Sequence, residues 1–366
     1  LRGDERPHVL IAALSGRALA AAARRSGWVP LVADRFGDED TRALAGDLRV
    51  VADDGDAAWL AALDSLALAS GVGGRALKLA CGGGFEHRPD LLRAAGARWT
   101  LLGNDADTVA AVGDPWRFAA ACAACGVAHP EVARASVGPG WLEKQAGGAG
   151  GWHVRVPPDG VAPLGHYRQR VVPGQPVSAL FLAAGGRACL LGWSSQWADP
   201  APGAPWRYGG GVRPAPAVQG VAALLSALAA RFGLAGLNSA DFLVRGDQAV
   251  LLEINPRPGA SLDLFGHEAL FAMHAQACAG VLPEAIPSWH GARAACVVYA
   301  RQRLTVPPDF RWPDWTADRQ MRGSAVAAED PLCTVLAEAD TPADAQALLV
   351  RRARDLMLEM ECPSIA

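Results

Sequence analysis

Two carboxylates and an amide are spaced to meet in this chain. Asp241 sits in the apolar run Leu237-Asn238-Ser239-Ala240-Asp241-Phe242-Leu243-Val244. Glu253 and Asn255 end a second run, Ala249-Val250-Leu251-Leu252-Glu253-Ile254-Asn255, and Gly246-Asp247 between them reads as a turn. In a strand, alternate residues share a face, so Glu253 and Asn255 point the same way. Closing the hairpin around Gly246-Asp247 brings Asp241 across to Glu253. Acids buried in such strands are costly unless paired or metal-bound. Two carboxylates and an amide oxygen are hard donors, suited to Mg2+ shared with phosphate oxygens. Arg257 follows at once, a planar cation that can serve phosphate or pair structurally with an acid. Both readings stand on local physics alone.

A second candidate lies upstream. Trp141-Leu142-Glu143-Lys144-Gln145 reads as a strand, and Gly147-Gly148-Ala149-Gly150-Gly151 follows it. Backbone N–H groups in such a loop can approach phosphate oxygens, and the lysine adds a point charge. The alternative is a flexible hairpin tip with a solvated lysine. The chain has only Lys78 and Lys144, and its asparagines are Asn104, Asn238 and Asn255, so both residue types are rare against an Ala-, Arg- and Gly-rich background.

These residues need elements to hold them. Val9 to Leu14, an Ala-rich helix to Arg25, and Trp28 to Val32 ending at Asp34 make a βαβ unit, whose ligands sit at the carboxyl ends of the strands. Leu77 to Ala80 is a further strand leading into Cys81-Gly82-Gly83-Gly84, a run read as a turn rather than a ligand loop. There is no full G-x-G-x-x-G and no P-loop lysine motif. Asp114-Pro115 opens a helix through Cys125. Val177 to Ala183 and Ala188 to Leu191 form a hairpin around Gly185-Gly186. Ala198 to Pro216, rich in Pro and Gly, is expected as one long loop, and Val218 to Phe232 as a helix. Residues 291 to 366 hold a strand at Ala294 to Tyr299, another at Thr334 to Ala337 and a helix from Pro342 to Met360, with no evident chemistry; dimer contact and closure over substrate are both open as its role.

The hairpin residues Asn238-Ser239-Ala240-Asp241-Phe242 and Leu252-Glu253-Ile254-Asn255-Pro256-Arg257-Pro258 resemble the metal-binding hairpin of the ATP-grasp superfamily, in which an acid is followed about a dozen residues later by E-x-N and often an Arg. The resemblance spans about residues 8 to 290 and is most specific at 141 to 265. It implies an α/β ATP-grasp fold, two α+β subdomains clasping ATP. Residues 1–110 would be an N-terminal α/β pre-ATP-grasp domain, 111–290 the ATP-grasp domain with its lid subdomain at about 111–170, and 291–366 a small C-terminal α/β appendage. It implies Mg2+, with Mn2+ able to substitute, on Asp241, Glu253 and Asn255. ATP would be held by Lys144, Gly148, Gly150 and Gly151, with Lys144 and Arg257 stabilising charge during catalysis. Gln169-Arg170-Val171-Val172-Pro173-Gly174 resembles the hinge between the subdomains, Gln169 meeting the adenine amino group and Val172 the ring through its backbone. Gln169 stands where an acid is common. The family's second phosphate lysine is missing, and Arg117 lies near its place.

The activity implied is that of an ATP-dependent ligase joining a small-molecule carboxylate, such as glutamate, to an amine through an acylphosphate. The hinge and the Glu-Ile-Asn-Pro-Arg-Pro run are similar to tyramine–glutamate ligase-like proteins, which implies a role in methanofuran- or methanopterin-type coenzyme biosynthesis. Other ATP-grasp chemistries, phosphoryl transfer or carboxylation, and a non-catalytic nucleotide sensor are the alternatives; no biotin or bicarbonate motif stands out.

Composition bounds the rest. A chain of 366 residues with 51% apolar and 19% charged residues is an ordinary globular protein of two or three domains or subdomains. Net charge of -3 gives no general pull to nucleic acid or anionic lipid, and no apolar run is long enough to cross a bilayer. The expected setting is the cytoplasm, with the eight cysteines reduced and Cys122-x-x-Cys125 packing in a helix. The eight histidines lack zinc spacing; His153, beside the glycine loop, is the one expected near a ligand. Trp193, Trp197 and Trp206 either line a substrate pocket or pack under the long loop, and Ser261 and Asp263 fall where an acceptor could sit.

Overall fold

The computed structural model describes residues 6–361. The first five strands, β1 (His8–Ala12), β2 (Val29–Asp34), β3 (Asp47–Val50), β4 (Lys78–Cys81) and β5 (Thr100–Leu102), form one sheet in the order β3-β2-β1-β4-β5. Every pairing in it is parallel. Helices α1 (Arg17–Arg25), α2 (Glu39–Leu44), α3 (Asp56–Ser70) and α4 (Pro89–Arg98) make the crossovers. Residues of β1 split between the faces: Val9 and Ile11 pack with α1, Leu10 and Ala12 with α3 and α4. Coverage on both faces is why β1 and β2 read as unbroken apolar runs. The expected βαβ unit is therefore present.

Helices α5 (Ala106–Gly113) and α6 (Pro115–Ala124) follow, each opened by an aspartate cap: Asp105 accepts from Thr108 N, and Asp114 from Trp116 N and Arg117 N. A small antiparallel sheet comes next. Its strands β6 (Val132–Ala133), β8 (Trp141–Gln145), β9 (Val154–Arg155) and β11 (His166–Arg170) run in the order β6-β11-β8-β9, while β7 (Ala135–Ser136) pairs separately with β10 (Gly160–Val161). Residues 171–174 then carry the chain into β12 (Gln175–Ala184), the start of a second, larger sheet.

That sheet also holds β13 (Arg187–Ala198), β14 (Tyr208–Arg213), β15 (Gly236–Arg245), β16 (Gln248–Asn255), β17 (Ala292–Tyr299), β19 (Thr316–Ala317) and β21 (Pro331–Ala339), in the order β16-β15-β12-β13-β14-β17-β21-β19. A short pair, β18 (Leu304–Thr305) and β20 (Ala325–Val326), stands outside it. Alternation along β12 divides two cores. Val177, Ala179, Phe181 and Ala183 pack under α7 (Val221–Phe232), and Leu180, Leu182 and Ala184 face α8 (Leu270–Cys278) and α1. Helix α9 (Pro342–Glu361) covers β17 and β21. No helix among the described residues is long and apolar enough to cross a membrane.

One expectation needs correction. Residues 198–216 are not one loop, since Tyr208–Arg213 is a strand inside the large sheet. Its glycine run masks it in the sequence, but the packing requires glycine: a Cβ on Gly210 would lie 2.4 Å from Ala295 O and 2.6 Å from the Trp197 ring. The C-terminal segment 291–366 is tied to the large sheet. Its strands β17 and β21 are hydrogen-bonded into the same sheet as the Asp241–Glu253 hairpin. Trp193 is 5% exposed and packs on Phe242. Cys122 is buried, and it and Cys125 are free thiols in the helical core, as packing demands.

Candidate functional site

The hairpin closes as its spacing requires. Asp241 pairs with Glu253 and Ser239 with Asn255, and a bulge after Asp241 leaves Leu252 as the extra residue. Asn255 Nδ2 donates to Asp241 Oδ2 at 3.0 Å. From the small sheet, Lys144 reaches across and donates to Glu253 Oε2 at 2.9 Å, with Gln169 Oε1 at 3.4 Å. Lys144 is placed by its register opposite Tyr167 on β11 and Val154 on β9. Its neighbour Glu143 points the other way and is consumed by Arg168 and Arg155.

Electrostatics separate the two acids. Burial, and then the Glu253 charge, push Asp241 up to about 6. Burial pushes Glu253 up too, but the Lys144 ammonium outweighs it and holds Glu253 below the usual carboxylate range. Lys144 is raised in turn, its burial overcome by Glu253. Among the described residues, Asp241 Oδ1 is buried without a hydrogen-bond partner. A buried acceptor left open beside a second acid and an amide oxygen fits a hard cation. The set has two acids rather than three, consistent with the described residues holding no cluster of three His, Cys, Asp or Glu. A cation here would complete its shell with water and phosphate oxygens.

Glu253 and Asn255 open on a cavity walled by both antiparallel sheets, α5 and α6. Glu253, Asn255, Gly148, His153, Tyr167 and Glu86 are among its walls. The glycine loop is folded down over it. Gly148 lies so close to the His153 ring that a Cβ would stand 2.3 Å away, and one on Gly151 would lie 1.8 Å from Trp206 O. Tyr208 N donates to Gly150 O at 2.9 Å. Glycine is needed here for close approach rather than flexibility alone.

The structure thus brings Lys144, Gln169, Asp241, Glu253, Asn255 and Gly148 to one place. Arg257 adjoins them, its Nη2 3.3 Å from Asn255 Oδ1 and its Nε on Glu86. Gly150 and Gly151 meet the Trp206–Tyr208 segment instead of the cavity wall. Val172 lies on the 171–174 connection between the two sheets and is not a lining residue. Arg117 is exposed on the first turn of α6, while its neighbours Pro115 and Phe118 line the cavity. Asp263 is taken up by Arg17 and is not free for an acceptor. His153 does face the cavity, with burial lowering its pKa.

Sequence reasoning missed Glu86 and His129. Glu86 accepts from Gly84 N at 2.7 Å, so the Cys81–Gly84 run does more than turn the chain. Its signal was an acid two residues after a glycine run at a strand's carboxyl end. His129 is held by Leu251 O at 2.8 Å, and only the fold brings it to the cavity.

Residues 112–261 match the family model of the ATP-grasp domain. The fold is ATP-grasp. Among solved structures, the chain is similar to the biotin carboxylase domain of Hydrogenobacter thermophilus 2-oxoglutarate carboxylase, at TM-score 0.70 and 13% identity, covering 95% of this chain and 88% of that one. It is similar to biotin carboxylase from Campylobacter jejuni, at TM-score 0.69 and 14% identity over 95% and 91% of the two chains. It also matches Rhizobium etli pyruvate carboxylase, at TM-score 0.71 and 15% identity, over 95% of this chain but 39% of that one. No curated protein sequence matches significantly. At these identities the ATP-grasp likeness is one of fold.

Proposed function

We propose that the protein is an ATP- and Mg2+-dependent ligase that activates a carboxylate as an acylphosphate and joins it to an amine. The observation that carries this reading is the Lys144–Glu253–Asp241–Asn255 cluster, buried under the glycine loop with Asp241 Oδ1 unpartnered. Asp241, Glu253 and Asn255 would hold Mg2+, which supplies charge neutralisation for the phosphates when bound. Lys144, now neutralising Glu253, would turn its ammonium to phosphate oxygens as the metal takes over the carboxylate. Gln169 and the connection at Val172 would meet the adenine, with Gly148, Gly150 and Gly151 closing over the phosphates.

In the reaction, a carboxylate oxygen attacks the γ-phosphorus and ADP leaves. The amine then attacks the acyl carbon, loses a proton and expels phosphate. Arg257 would steady the negative charge passing through both steps. The closed loop keeps water from the acylphosphate until the amine arrives. The motif resemblance makes L-glutamate with tyramine or a furan-methylamine the first pair to try, as in a methanofuran-type coenzyme pathway.

The fold likeness to biotin carboxylases supports carboxylation as a second reading. One assay separates the two: Mg2+-dependent ADP release measured against acids, amines, and bicarbonate with free biotin. Release that needs both an acid and an amine, with stoichiometric amide, supports the ligase. Release driven by bicarbonate and biotin alone overturns it.

A further inference from the structure

Away from the candidate site, the large sheet sets two like charges face to face. Arg213 on β14 and Arg293 on β17 are direct cross-strand partners. Like charges so placed are destabilising unless an anion lies between them. Arg213 is 8% exposed. Its Nε donates to Leu264 O at 2.5 Å, and its Nη1 to Gly291 O at 3.1 Å and His290 O at 3.4 Å. The rings of Trp289 and Phe265 lie 5.7 and 6.0 Å from its guanidinium. Among the described residues no carboxylate pairs with Arg213, and its Nη2 donates to nothing.

A third cation joins them. Arg25 closes α1, and its Nη2 and Arg293 Nη1 meet at Gly266, where a Cβ would stand 3.7 Å from the first and 2.8 Å from the second. Arg25 makes no hydrogen bond or ion pair among the described residues, and it is exposed, so the cluster opens to solvent. Two acids face the three arginines. Glu338 lies 3.2 Å from Arg293 Nε without forming a hydrogen bond to it, and its side chain is 70% exposed. Asp263 faces Arg25, but both its oxygens are taken by Arg17. Burial, then the Arg293 charge, lowers both Arg25 and Arg213 from the usual guanidinium value. A buried cation without its counter-ion is costly.

We propose that Arg25, Arg213 and Arg293 bind a phosphate dianion, either free phosphate or the phosphate group of a small metabolite. A guanidinium presents paired N–H groups that match phosphate oxygens, and three of them on one patch suit a tetrahedral anion better than a single carboxylate. Three cations left with one exposed acid carry an excess of two, the charge of a phosphate monoester. They come from α1, β14 and β17, and none lines the cavity at Glu253. The ligand would tie the N-terminal sheet to the C-terminal strands, at a place separate from the proposed nucleotide site.

The test is calorimetric titration of the whole protein with inorganic phosphate and, separately, with glycerol 3-phosphate, in chloride buffer of fixed ionic strength. At least one should bind. Arg25→Gln should weaken it roughly tenfold, the loss of one charge-assisted contact. Gly266→Asp puts a carboxylate between Arg25 and Arg293. It should abolish phosphate binding and raise the melting temperature in phosphate-free buffer. Gly266→Asn, of the same size but uncharged, should leave binding within about threefold. That contrast is one of charge, which misfolding would not produce. Tighter binding of inorganic phosphate identifies the free ion as the ligand, and tighter binding of glycerol 3-phosphate the phosphate group of a metabolite. No binding of either anion, or binding that survives both Arg25→Gln and Gly266→Asp as it would at the nucleotide site, overturns the proposal.

Discussion

Two buried charge clusters adjoin the same large sheet and are built in opposite ways. One surrounds Arg17. Its guanidinium donates to Asp263 at 2.5 and 2.6 Å and to Asp318 at 2.7 and 3.1 Å, Asp318 also accepts from Thr334 Oγ1 and Ser15 Oγ, and Asp40 accepts from the backbone of Asp318 and Arg319. These groups come from the N-terminal sheet, the segment after β16 and the C-terminal strands, so the cluster clasps the chain's distant parts. The other, at Lys144, Glu253, Asp241 and Asn255, leaves an orphan oxygen and faces a cavity. Saturated charges hold structure, while incompletely paired charges are poised for a ligand.

The sharpest break between them is expected at Glu253. Glu253→Gln should cut ATP-dependent turnover roughly 10³-fold, with a melting temperature close to wild type; near-normal turnover at saturating Mg-ATP would dissolve the contrast. Arg17→Ala should do the reverse. Removing one partner of a buried network costs about 3–5 kcal/mol, so chemical denaturation should show a large loss of stability, and nucleotide affinity measured where the protein is still folded should hold. Next comes Lys144→Ala, which removes a charge-assisted contact and should weaken ATP about 10- to 100-fold, read by titration calorimetry.

A pH-dependent effect is expected at Asp38, beside the Arg17 clasp. Burial, then the charges of Asp318, Asp34 and Asp40, push it up to about 8, against the pull of Arg17. The folded state therefore keeps a proton that the unfolded chain releases near pH 4. Stability present in acid is lost as pH climbs from about 4 to about 8. Asp38→Asn should flatten denaturation midpoints across that window. An unchanged slope would show that Asp38 is ionised throughout.

The Asp241–Glu253 hairpin was legible because its information is local. Asp241, Glu253 and Asn255 lie within 15 positions, and strand alternation with one turn sets their approach. The βαβ start and the lysine followed by glycines were legible for the same reason. Tyr208–Arg213 was not, because glycine weakens a strand's local signal and it is the neighbouring backbone of β17 and the Trp197 ring that require it. Nor was Asp263 legible: proximity in sequence to Arg257 suggested an acceptor site, but Arg17, 246 positions away, claims it.

The sequence by itself determined the opening βαβ unit and the closure of the Asp241–Glu253 hairpin, since both follow from short-range periodicity and spacing, and the ATP-grasp fold was legible through the resemblance that the hairpin's residues carry. Tertiary structure alone decided that Glu86 meets Arg257 across 171 positions, that the C-terminal strands extend the central sheet, and that Arg25 comes to lie beside Arg293. Those outcomes depend on how separate elements pack, and packing free energy belongs to pairs of surfaces that no local pattern encodes.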